Sequence, residues 1–260
     1  VSIHQSQCLA DVRLRRELFS LTLAAFAGCL LLPWKTAGQT TEPHVIHQSQ
    51  YWFRFYGQCN FRSGWSLHLE LDERRSTNPD LQANFLMHVH LHHRVNKYLD
   101  WATGASAITT NSTIAPTLAV PERRLFQEIS FTQPFGSRLS GQLRLRVDER
   151  CIQRNNRVVL SDGYNFSVRE RLRAQLSYRI KEQSTAILKL SDELMVHQGS
   201  TPHFFDQNRI YTAVEWPLGG VWSVETGIVH VYQARSDDGY ASRMVFRFTL
   251  YGRWSAVSGR

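Results

Sequence analysis

The chain has 260 residues, 42% of them hydrophobic, enough for one large β domain or two small ones. Beyond residue 38 no apolar run reaches about 18 residues, which excludes a helical membrane protein. The formal charge of +8 becomes +6 once residues 1–38 are set aside, and its arginines alternate along strands instead of forming a basic helix or tail, so no nucleic acid is expected as a partner.

Residues 1–38 read as a leader. Arg13, Arg15 and Arg16 precede the apolar run Leu18 to Leu32, followed by Pro33 and the small residues Thr36-Ala37-Gly38. A charged region, a hydrophobic core and a small-residue cleavage site make a Sec-type signal peptide, with cleavage near Gly38. Phe26-Ala27-Gly28-Cys29 is also close to a lipoprotein cleavage box, but Leu30-Leu31-Leu32 carries the apolar run past the cysteine. Residues 39–48 are a short N-terminal segment, 49–254 the body and 255–260 a tail.

The body repeats one unit, a strand of about ten residues and then a turn. Tyr51, Phe53 and Phe55 alternate with Trp52, Arg54 and Tyr56; Trp65, Leu67, Leu69 and Leu71 alternate with Ser66, His68, Glu70 and Asp72. Ala83 to Leu91 follows with His88, His90 and His92 on one face, then a small-residue strand near Leu99 to Thr109. A long connection from Thr110 to Arg124 leads to Leu125 through Phe131. The clearest pair comes next: Leu139 to Arg150 and Phe166 to Gln175 each carry an apolar row opposite an arginine row. Strands at Ala186–Leu190, Ile210–Trp216, Trp222–Ile228 and Met244–Trp254 complete the body. A period of two means one apolar and one polar face per strand.

These patterns predict an all-β fold, an antiparallel transmembrane β-barrel of about 10–12 strands. Eleven strands are counted. Bacterial single-chain barrels have an even number, so twelve are expected, with one missed before Ser49 or within 110–124. Strands long enough for a tilted crossing, aromatic residues at strand ends and the signal peptide place the barrel in the bacterial outer membrane. Its expected partners are outer-membrane lipid and, during biogenesis, the barrel-assembly machinery; the oligomeric state stays open. A soluble secreted lipocalin-like binding barrel is the alternative that periodicity alone leaves standing.

In a membrane barrel the polar faces line the lumen. The lumen-lining candidates are Arg144, Arg146, Arg169, Arg171, Arg173, Arg209, His88, His90, Glu70, Glu128 and Asp148. The arginine rows either line an anion-selective pore or pair with Glu70, Glu128, Asp148 and Glu193 to plug it. Three histidines in a row on one strand stand about 6.5–7 Å apart in succession and cannot converge on one ion. At most two could join residues across the lumen, so they are read as polar lining, and no metal or other cofactor is expected. A lipid-modifying hydrolase is a further alternative, but no G-x-S-x-G signature supports a catalytic residue. Cys59 and Cys151 should lie at opposite barrel ends, too far apart for a disulfide.

Several short motifs occur in order: Tyr51-Trp52, Trp65-Ser66-Leu67, Glu122-Arg123-Arg124, Leu143-Arg144-Leu145-Arg146 with Glu149-Arg150, Arg171-Leu172-Arg173, Asp192-Glu193-Leu194 and Phe205-Asp206-Gln207-Asn208-Arg209. On these residues the chain resembles an uncharacterised bacterial outer-membrane β-barrel family, domain of unknown function 2490. The resemblance implies an outer-membrane barrel and assigns no activity.

Overall fold

The alternation resolves into eleven strands in the computed structural model, which describes residues 44–111, 118–156, 158–180, 186–199, 203–235 and 239–256. The expected leader and most of the tail lie outside the described residues. The strands are β1 (Val45–Asn60), β2 (Trp65–Thr77), β3 (Asp80–Arg94), β4 (Leu99–Asn111), β5 (Ala119–Phe135), β6 (Leu139–Asn155), β7 (Leu160–Arg179), β8 (Ile187–Gly199), β9 (Phe205–Gly219), β10 (Trp222–Ala234) and β11 (Tyr240–Ser255). Each pairs antiparallel with its sequence neighbour, and the sheet closes on itself. Among the described residues no helix is long and apolar enough to cross a membrane, which says nothing about crossing by strands.

The expectation of twelve strands does not hold among the described residues. β1 already begins at Val45 and β5 at Ala119, so the stretches that were to supply a twelfth strand extend existing ones instead. With an odd number of up-and-down strands, the first and last must run the same way. β1 and β11 accordingly pair in parallel over their whole length, from Val45 opposite Tyr240 to Asn60 opposite Ser255. We call the end where β1 starts the upper end and the opposite one the lower end.

The strands run from 13 residues in β2 to 20 in β7, longer than the ten or so expected. Cys59 accordingly lies within β1 near the lower end, and Cys151 within β6 towards the upper end, instead of in a turn and a loop. Both are free thiols.

Which face points inward is decided by burial. Phe53, Leu125, Leu145, Ile228 and Phe246 are all at least half exposed on the outside. Their strand neighbours Trp52, Arg124, Arg146 and Glu225 are buried on the inside. Tryptophans gather at the lower end, where Trp222 and Trp254 meet edge to face at 5.4 Å and Trp65 packs on His93. The barrel therefore carries apolar side chains outward and charge inward, the reverse of a soluble barrel.

Candidate functional site: a cationic chamber above a histidine cluster

The inward positions enclose a chamber of about 980 Å³. Its lining runs from Pro79 and Ala234 at the upper rim down to Lys189, Glu225 and Tyr251. Among the described residues fourteen lysines and arginines line it against five carboxylates, so its potential is positive. The walls differ. β5 to β7 present arginines, whereas Trp52, Tyr211, Val229 and Val231 form an apolar patch on the side built by β1, β9 and β10.

Buried charges are tolerable only when paired and hydrogen-bonded, and the lumen is organised by that requirement. Near the upper end Glu122 accepts from both Arg124 and Arg150, each at 2.5 Å, and Arg169 meets Asp206 at 2.9 Å. At mid-height Asp148, with no exposure at all, joins Arg146 at 2.6 Å to Arg171 at 3.6 Å. Glu193 then takes Arg171 at 3.0 Å and Arg144 at 2.5 Å, and Arg144 reaches Glu128 at 3.5 Å. Lower down Glu225 accepts from Lys189 at 2.7 Å, Tyr211 at 2.5 Å, Arg247 at 3.1 Å and Tyr251 at 3.2 Å. Arg146 also stacks over Phe126 at 3.6 Å and Arg247 over Tyr211 at 3.7 Å.

Of the residues singled out from the sequence, Arg144, Arg146, Arg169, Arg171, Arg173, Arg209, His88 and Glu70 line the chamber. His90, Glu128 and Asp148 are buried in the packing around it. Arg54, Glu122, Arg124, Arg150, Asp206, Glu225 and Arg247 also take part in these pairs and were not among the lumen-lining candidates. For all but Glu225 the signal is the one already used, a charge on the polar face of an amphipathic strand.

Not every cation is neutralised. Arg173 donates to Gln142 at 2.8 Å, Arg209 to Gln207 at 3.1 Å and Arg243 to Gln48 at 2.8 Å. None of the three has a carboxylate within ion-pair distance among the described residues. The protein also leaves Arg144 Nε, Arg146 Nη2 and Arg173 Nε without an acceptor among its described atoms. Donors so placed, in a positive chamber, suit an anion.

Rings gather on β1 to β3 towards the lower end. His68 of β2 stacks on His92 of β3 at 3.9 Å, His90 lies 4.9 Å from His92, and Tyr56 packs against both His68 and His90. His88 goes elsewhere, its Nδ1 2.5 Å from Ser106 Oγ. Close packing requires a glycine behind His90. Gly104 pairs directly with it, and a Cβ there would stand 2.5 Å from Val89 O and 2.6 Å from His90 Cβ.

Fold and lumen together define a closed up-and-down β-barrel with a charged interior. The chain belongs to the family described as protein of unknown function (DUF2490), whose model matches residues 49–241. Comparison with curated proteins and with solved structures gives no match.

Proposed function

We propose that this is an outer-membrane β-barrel, exported by its Sec-type leader, whose chamber takes up small anionic solutes from the upper end. The outward apolar belt around a charged lumen carries the reading, since lipid outside and solvated or paired charge inside is the stable arrangement for a transmembrane barrel. The chamber's lining reaches Lys189, Glu225 and Tyr251 and leaves out His68 and His92 below them, which favours a chamber over an open pore. Its apolar patch beside Arg209 favours an anion with an apolar portion: Arg209 lies 5.5 Å over Trp52.

Two measurements test this. The barrel should fractionate with outer membranes and run as a compact band that slows on boiling; a single unchanged band from the soluble periplasm would sink the reading. Calorimetry on the detergent-folded protein should show phenyl phosphate binding more tightly than inorganic phosphate. Arg209→Gln should weaken it about tenfold while leaving the fold intact, because no ion pair is broken; one lost charged hydrogen bond is worth about 1.5–3 kcal/mol.

A second reading, lipid-ester hydrolysis, rests on one contact. His230 Nε2 lies 3.0 Å from Ser242 Oγ. Both alternate with the chamber-lining Val229, Val231 and Arg243, and so stand on the outer face where a lipid would lie. Phospholipid turnover by the purified barrel that disappears in Ser242→Ala would favour it; no turnover by the wild type disposes of it.

A further inference from the structure

We propose that the ring cluster towards the lower end is a metal site in which His68, His90 and His92 hold one divalent transition ion of the zinc type. One strand cannot bring three successive inward histidines onto an ion, but two strands can. His90 and His92 are two residues apart on β3, and the register sets His68 of β2 directly opposite His90. The candidate ligand nitrogens of the three rings all lie within 4.8 Å of one another; His68 and His90 are each 6% exposed, and the His92 side chain is 11% exposed.

Two of the nitrogens are close already. His90 Nδ1 stands 2.8 Å from His92 Nε2, a distance at which one must hold a proton for the other. A tetrahedral ion with bonds of about 2.05 Å keeps its ligand nitrogens about 3.3 Å apart. Metal in place of that proton therefore needs these two rings to part by about half an ångström, while His68 turns its edge inward from its stack on His92.

The surrounding groups are those that orient metal-bound imidazoles. His92 Nδ1 lies 2.6 Å from Asp100 Oδ1, which fixes the tautomer that frees Nε2. His90 Nε2 has no hydrogen-bond partner and faces Glu70 Oε1 at 3.2 Å. His68 has Tyr56 OH at 2.5 Å on Nδ1 and Ser66 Oγ at 2.8 Å on Nε2, so one nitrogen is steadied while the other turns to the ion. Three neutral imidazoles suit Zn²⁺ and its neighbours and leave a fourth position for water. Asp100 is partly exposed at the lower mouth, which gives the ion a way in. Bound there, the ion would clip β2 to β3.

The test uses the mature chain without a histidine tag, folded in detergent, stripped with chelator and titrated with Co²⁺. The expected result is one Co²⁺ per chain with the intense visible bands of a tetrahedral site, displaced by Zn²⁺. His90→Gln and His92→Gln should abolish those bands, whereas His47→Gln, on the exposed outer face of β1, should keep them. Asp100→Asn removes only the orienting carboxylate and should weaken Co²⁺ about 10–100-fold; it gives the answer even where a histidine variant does not fold. Weak octahedral colour in the wild type, or binding that survives both Asp100→Asn and the histidine changes, overturns the proposal.

Discussion

Glu225→Gln should lower the unfolding free energy of the barrel by about 3–5 kcal/mol, the usual cost of breaking a buried ion pair from one side. Glu225 is 1% exposed and is the acceptor for Lys189, Arg247, Tyr211 and Tyr251 at once, with Arg54 at 4.0 Å. The amide keeps nearly the same shape but loses the charge, and its NH₂ group turns a donor towards donors. The cations on β8 and β11 are then left in the lumen with less to neutralise them. Lys189 retains Glu215 at 2.6 Å, so the damage should concentrate on Arg247. Urea unfolding of the vesicle-inserted barrel measures it. A loss below about 1 kcal/mol, the value of a solvent-screened pair, would mean that water in the chamber does the neutralising.

Leu145→Arg carries the next largest effect, and its size depends on what surrounds the barrel. Leu145 sits in the middle of β6, half exposed on the outer face. In a bilayer, arginine at mid-depth costs about 2–4 kcal/mol, falling to about 0–1 kcal/mol near the interface. Leu160→Arg, at the upper start of β7, supplies that shallow comparison. On a water-exposed surface both changes would stay within about 0.5 kcal/mol. The difference between the two variants, measured by the same unfolding experiment, therefore reads the surroundings directly. Equal and negligible effects would argue for the soluble lipocalin-like barrel.

Much of the architecture was legible because alternation is a local property. Leu143-Arg144-Leu145-Arg146 declares a strand with one face for charge wherever it occurs, and the arginine rows of β6 and β7 lie along the chamber. Strand parity was not local. Whether β1 meets β11 in parallel depends on closure of the whole sheet, and the even-number rule pointed to twelve. The same holds for the site. His68 meets His90 only because β2 and β3 adopt one register, which includes a shift between Arg74 and Arg75. Moving that pairing by a single residue would turn one of the histidines outward. Glu225 escaped notice for a related reason: its partners come from β8, β9 and β11, and nothing on β10 itself announces them.

The parallel seam has a consequence for rewiring the chain. In a barrel of even strand number the first and last strands end side by side, and a few residues can join them. Here Ser255 and Val45 lie at opposite mouths, separated by the height of a 16-residue strand, roughly 50 Å at 3.3 Å per residue. A circular permutant would need a linker spanning that height, along the outer face or through the chamber. The seam between β1 and β11 thus acts as a topological lock: hairpins elsewhere can be cut, but this junction cannot be sealed by a short loop.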